Sequence, residues 1–154
     1  MFVSYAKPVG AWEGNFDVLV NRDDMKYMEE LEKKYNVFTH LTPAYGLNLG
    51  CIAVKTMITI TQQGDVLPCQ YMQISIGNIF DESLKDIIQR GLDIKWFGEH
   101  VDTCLIAEDR NFINKYIAKK VYGQPVPVLW KDVFTEEDKT KIPFHKSPKL
   151  IQNG

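Results

Sequence analysis

The chain alternates between two hydrophobic periods. "FVSYA", Phe2 to Ala6, is a short run of apolar and β-forming residues stopped by Lys7-Pro8 and Gly10, and it reads as a strand followed by the loop "KPVGAWEGN". Met25, Met28, Leu31 and Tyr35 then fall on one helical face, with Glu29, Glu30, Lys33 and Lys34 largely elsewhere. This predicts an amphipathic helix from Asp23 to Tyr35. Asn21 can cap it by accepting from free N–H groups of the first turn, and Asp23 and Asp24 sit at the positive end of its dipole. The chain next passes through Pro43 and Gly46. Strand, loop and helix make half of a β/α unit, and the strand has no evident sheet to join. Because strand edges are normally paired within a domain, the pattern predicts a chain that begins inside a larger architecture.

From Met57 the period becomes two. Met57, Thr59 and Thr61 alternate with Thr56, Ile58 and Ile60. "QQGD" supplies a turn, with Gly64 free to take a positive φ, and Val66-Leu67 returns as a second strand ended by Pro68. "ISIGNI" carries a Gly-Asn turn. Asp81 or Ser83 caps a short helix with Leu84, Ile87 and Ile88 on its apolar face, ending near Gly91. A last helix is expected from Asp109 to Tyr122, with Phe112, Ile113, Tyr116, Ile117 and Val121 as its stripe, closed by Gly123. After Gln124-Pro125-Val126-Pro127 the residues are mostly polar or Lys and Pro, and only partial order is expected.

Composition narrows the class. The 154 residues are 45% hydrophobic and 25% charged, with a net charge of −2. These are the proportions of an ordinary globular protein, with no overall basic field to suggest nucleic acid. No apolar run approaches the ~20 residues of a membrane span. "MFVSYAKPVG" is too short and too broken for a secretory signal, so a reducing cytoplasm is the expected compartment.

In that compartment the three cysteines, Cys51, Cys69 and Cys104, are buried apolar residues or ligands. Cys51 and Cys69 flank the hairpin as C-x12-G-x4-C. A pairing centred on Gln63-Gly64 sets Cys69 opposite Ile58, so Cys51 meets it only if residues 51–55 fold back. Spacing alone favours two buried thiols. A zinc site would need Cys104 and one of His40, His100 or His145, without any C-x2-C or H-x3-H pair.

The wider phrase shifts the weighting. Cys51, Ile58 and Ile60, then Gly64-Asp65-Val66-Leu67-Pro68-Cys69, then Gly77-Asn78-Ile79 and Ser83-Leu84 with Ile87, stand in an order that resembles the auxiliary-cluster region of radical S-adenosylmethionine (SAM) proteins of the SPASM and shorter twitch families. The likeness is densest from Cys51 to Ile88 and extends more loosely over "CLIAEDRNFINKYI", Cys104 to Ile117. It implies one auxiliary [4Fe–4S] cluster held by Cys51, Cys69 and Cys104, with a fourth ligand from elsewhere. It also implies a role in binding substrate, a peptide or small molecule, or in passing electrons. By the same resemblance "FVSYAKPVGAWEGN" and the following helix look like the end of a partial (β/α)6 barrel.

The implied fold class is therefore α+β. Residues 1–48 are the terminal β/α unit of a barrel, 49–123 a small twitch-like domain of β-hairpin plus helices, and 124–154 a partly ordered tail. Three departures limit the likeness. The C-x3-C-x2-C signature is absent, so SAM enters only through a barrel on other residues or another subunit, and this chain alone is not expected to cleave it. Cys104 is followed by no C-x2-C run, which leaves at most one cluster. Val54 stands where family members often have Gly, so a positive φ there would be strained. The rival reading is a non-enzymatic α+β interaction module with buried thiols or a partial zinc site.

Overall fold

The computed structural model describes residues 1–39 and 50–141. Two 3-10 turns, Gly10–Trp12 and Phe16–Val18, precede helix α1, Arg22–Lys34. Asn21 caps α1 as its sequence predicts. Its Oδ1 accepts from the N–H groups of Asp23 (2.8 Å) and Asp24 (3.0 Å), and Asp24 returns a bond to the Asn21 N–H. The helix buries none of its residues fully. Met25 and Met28 are half-buried, and Tyr35 is exposed.

Phe2 to Ala6 does not form a full strand, and it is not without a partner. Phe2 makes a single parallel bridge with Phe38, through Val3 N–H to Phe38 O and Phe38 N–H to Met1 O. The two bridged segments flank α1, so the first 39 residues form a helix closed by one parallel bridge. The pairing segment Val37-Phe38 is too short to show a period, which is why sequence reading left Phe2 unpaired. The passage through Pro43 and Gly46 lies outside the described residues.

The hairpin consists of β1, Thr59–Ile60, and β2, Asp65–Leu67. Its register is Thr59↔Leu67 and Ile60↔Val66. This differs by one residue from the expected pairing. Gly64 N–H donates to Thr61 O and Thr61 N–H to Asp65 O, with Gly64 at φ +86°. The connection is thus a three-residue loop, a tight turn followed by a left-handed glycine, rather than a two-residue turn. Two residues beyond the last pair, Cys69 comes level with Met57, not Ile58. After β3, Ile74–Ser75, strand β4, Gly77–Asn78, pairs with β2, giving the antiparallel order β1-β2-β4.

Helix α2, Leu84–Leu92, starts where Ser83 Oγ accepts from the Asp86 N–H. Arg90 ties it to the sheet by donating to Ile76 O (2.8 Å) and pairing with the Glu82 carboxylate. Ile76 and Ile87 are fully buried between them. Sequence reading missed the short helix α3, Lys95–Gly98. The final predicted helix is present but not regular. α4, Arg110–Phe112, capped by Asp109, continues into a π-helical segment, Ile113–Ala118. An apolar period cannot separate the two helix types here, because both turn Phe112, Ile113, Tyr116 and Ile117 inward, where all four are buried.

Residues after Gln124 complete this core. Strand β5, Val128–Leu129, lies parallel to β3, and α5, Trp130–Val133, follows it directly. Phe134 packs edge-on to Phe97, with ring centroids 5.7 Å apart. Asp138, 2% exposed, accepts from Tyr116 Oη, Trp96 Nε1 and Thr135 N, and pairs with Lys95. The rest of the predicted tail, residues 142–154, lies outside the described residues. The architecture is α+β, without a closed barrel among the described residues. None of its helices among those residues is long and apolar enough to cross a membrane.

Candidate iron–sulfur centre

Three backbone devices bring Cys51, Cys69 and Cys104 onto the wall of one cavity. The first anchors Cys51 to the third cysteine's segment. Gly50 bridges Val101, and the Cys51 N–H donates to Val101 O at 2.8 Å. Gly50 has φ +68°, and a Cβ there would stand 2.0 Å from Val101 O, so no other residue fits without moving the strand.

The second device is the fold-back that the hairpin demands. Thr56 and Met57 N–H groups return to Ile52 O, and Ala53 bridges Met57. Val54 is at φ +64°, so the left-handed conformation is kept here in spite of the β-branched side chain. Its N–H is shared by Met57 O (2.8 Å) and Pro68 O (3.1 Å), which holds the turn against the residue preceding Cys69. Lys55 Nζ closes the loop on Cys51 O at 3.0 Å. Burial lowers the Lys55 ammonium to a pKa of about 8.

The third device supplies N–H groups to sulfur. Cys69 lies at a tight turn whose Tyr71 and Met72 N–H groups point at its thiol. Cys104 opens another, with the Ile106 N–H on its sulfur and Ala107, Glu108 and Asp109 N–H groups on its carbonyl. Glu108 Oε2 reaches back to the Cys104 N–H at 2.7 Å. Such convergent donors favour a thiolate over a thiol.

Burial opposes them. It pushes the Cys69 thiol up to about 12, and it pushes Cys104 up as well, reinforced by Cys51 and Cys69 beside it. Without a cationic partner, these two sulfurs hold their protons at neutral pH. With one, three soft sulfur donors and aimed N–H groups make an apt site for iron and sulfide. The cavity, about 150 Å³, is walled mostly by apolar groups such as Ala53, Met57, Met72 and Leu105, with Ser4, Lys7 and Gln70 as polar members. Among the described residues no group of three His, Cys, Asp or Glu side chains closes on a single metal ion. Three thiols on one largely apolar cavity wall are a donor set that suits an iron–sulfur cluster.

Among the described residues no histidine joins the cysteines as a zinc ligand would. His100 pairs with Asp102 and does not line the cavity. His40 and His145 lie outside the described residues. One cavity residue escaped sequence reading altogether. Lys7, read only as the end of a strand, is 8% exposed and sits on the cavity wall, its Nζ 4.4 Å from the centre of the Tyr71 ring. A single lysine before a proline carries no pattern that would have marked it.

Residues 51–115 match the family model of SPASM, an iron–sulfur cluster-binding domain. The match opens at Cys51 and spans Cys69 and Cys104. Over this segment the chain is similar to that family, as the ordered phrase around its cysteines resembles it. No curated protein and no solved structure matches the chain.

Proposed function

We propose that the chain holds one auxiliary [4Fe–4S] cluster through Cys51, Cys69 and Cys104, as the auxiliary region of a radical SAM protein. The observation that carries this reading is the convergence of three buried cysteines, scattered over 54 positions of sequence (51 to 104), on one cavity within the segment that matches an iron–sulfur domain. Bound there, a cluster would supply one-electron chemistry and, with three protein thiolates, an iron free to take a further ligand. The residues of this chain do the rest. The Gly50 bridge and the Val54 turn fix the sulfur positions, the Tyr71, Met72 and Ile106 N–H groups stabilise their charge, and the apolar wall keeps water away.

The cluster supports substrate binding or electron transfer, for a peptide or small molecule. SAM cleavage belongs to a barrel bearing C-x3-C-x2-C, the partner this reading requires. The Phe2–Phe38 pairing around α1 is consistent with a terminal β/α unit of such a barrel. Anaerobic reconstitution with iron and sulfide tests the assignment. The native chain should gain near-stoichiometric iron and sulfide and broad visible absorption, both absent in a Cys51/Cys69/Cys104→Ala variant. Equal loading of that variant would falsify it, and would leave the interaction module with buried thiols as the better account.

A further inference from the structure

Lys7 is a buried cation with no carboxylate in direct contact among the described residues, although the half-buried Glu108 carboxylate feels its charge from beyond ion-pair distance. Among the described residues no Asp or Glu lies within ion-pair distance of its Nζ, although it is only 8% exposed. A buried charge in that position is costly unless an anion faces it. Two of its three N–H bonds are used, on Ser4 Oγ (3.0 Å) and Tyr5 O (2.5 Å). The third has no oxygen acceptor among the described residues. The ammonium lies against the Tyr71 ring and on the wall of the cavity that the three cysteines share.

The backbone holds it there deliberately. Tyr122 Oη donates to Pro8 O, and the Gly123 N–H donates to Glu13, so the loop after Lys7 is bound to the far end of the π-helical segment. Tyr71, whose ring faces the ammonium, gives its own N–H to Cys69. The cation is thus fixed relative to the sulfurs from both sides.

We infer that Lys7 is the counter-ion of the cluster site and sets the cluster's reduction potential. The inference rests on the cluster assignment above. A cubane bound by three thiolates is a net anion, and one-electron reduction adds a further negative charge. A fixed cation on the cavity wall therefore stabilises the reduced form more than the oxidised form and raises the potential. The electron comes from an external low-potential reductant; Lys7 donates neither electron nor proton.

The test is an anaerobic redox titration of the reconstituted chain with dithionite and mediators, read by the electron paramagnetic resonance of the reduced cluster. Lys7→Met keeps the stem and removes the charge; Lys7→Arg keeps the charge. Lys7→Met should disfavour the reduced state about tenfold, or ~59 mV lower for a one-electron couple. Lys7→Arg should stay within a few-fold of the native chain. If Lys7→Met does not load but Lys7→Arg does, the charge is what the site requires of this residue, which supports the counter-ion role. A loaded Lys7→Met with unchanged potential overturns it, as does failure of both variants to load, which would show that shape rather than charge matters. Failure of the native chain to load is a different result. It removes the cluster assignment itself.

Discussion

Val54 and Gly91 are fitted to each other across the domain. A Cβ on Gly91 would lie 2.9 Å from Val54 Cγ1 and 3.2 Å from Cγ2, so helix α2 can pass the fold-back after Cys51 only because it has no side chain there. The strained valine occupies the space that the glycine leaves open.

Gly91→Ala should therefore destabilise the chain despite the better helix propensity of alanine. That gain is at most ~1 kcal/mol, while overpacking against a stiff β-branched side chain costs ~1–3 kcal/mol. Val54→Gly relieves ~1–2 kcal/mol of left-handed strain but gives up ~1.5–3 kcal/mol of valine burial, a net loss of about 1 kcal/mol. In the double variant the new methyl is freed of the Val54 contacts and meets only the movable end of Ile76, whose Cδ1 would lie 2.9 Å away. A double-mutant cycle by urea unfolding should show a favourable coupling of ~0.5–3 kcal/mol, and additive effects would contradict the contact.

Gly50→Ala should abolish cluster loading rather than merely weaken the fold. The left-handed φ and the collision with Val101 O both act on the bond that fixes Cys51. We expect iron content to fall by about tenfold or more, corresponding to at least ~1.4 kcal/mol. Loading at the native level, measured by iron and sulfide analysis, would mean that Cys51 is positioned by something else.

The unloaded protein should lose stability as pH rises above neutral. Cys69 titrates near 8.5 when unfolded and at about 12 when buried. A raised folded pKa gives stability that is complete below the unfolded value and lost as pH climbs toward the folded one. The slope is ~1.4 kcal/mol per pH unit for this group in that window. Lys55, whose pKa is lowered on folding, works in the opposite direction above about 8, so the comparison is with Cys69→Ala, which should flatten the loss. Cluster loading should improve over the same rise in pH, because binding displaces thiol protons. Thermal melts of apo and loaded protein across pH decide both points.

On the acid side Asp138 is the group to watch. Burial pushes its carboxyl up, but bonds from Tyr116, Thr135, Lys95 and Trp96 together outweigh burial and hold it below its usual range. Its contribution is present above the unfolded pKa of ~3.9 and is lost as pH falls below that. Asp138→Ala should cost ~1–3 kcal/mol at neutral pH, chiefly by stranding the buried Tyr116 hydroxyl and the half-buried Trp96 N–H, and should remove most of this acid dependence.

What sequence reading recovered was local or ordered chemistry. Asn21 and Ser83 announce their caps because the capping bond spans only two or three residues. The cysteine phrase announces the family segment because glycine, turn and thiol recur in a fixed order. Val54 was suspect for the right reason, since a β-branched residue has no easy positive φ. The losses were of another kind. The Phe2–Phe38 bridge, the β3–β5 pairing and the Asp138 bonds join segments far apart in sequence, and no periodicity reports who the partner is. Lys7 was lost for a related reason: although its ammonium bonds to nearby Ser4 and Tyr5, its place on the cavity wall depends on Tyr71 and Tyr122, far along the chain.

The three-residue loop at Gln62-Gln63-Gly64 has a bearing beyond the turn itself. Side chains on a strand change face with every residue, so a slip of one position exchanges the two surfaces of the hairpin. The loop's length therefore decides to which side Cys69 is delivered, although none of its three residues lines the cavity. Exposed connections of this sort usually tolerate gain or loss of a residue. Here single-residue insertions and deletions at Gln62 or Gln63 should be as damaging to metal content as removal of a ligand, while substitutions at the same two positions should pass almost unnoticed.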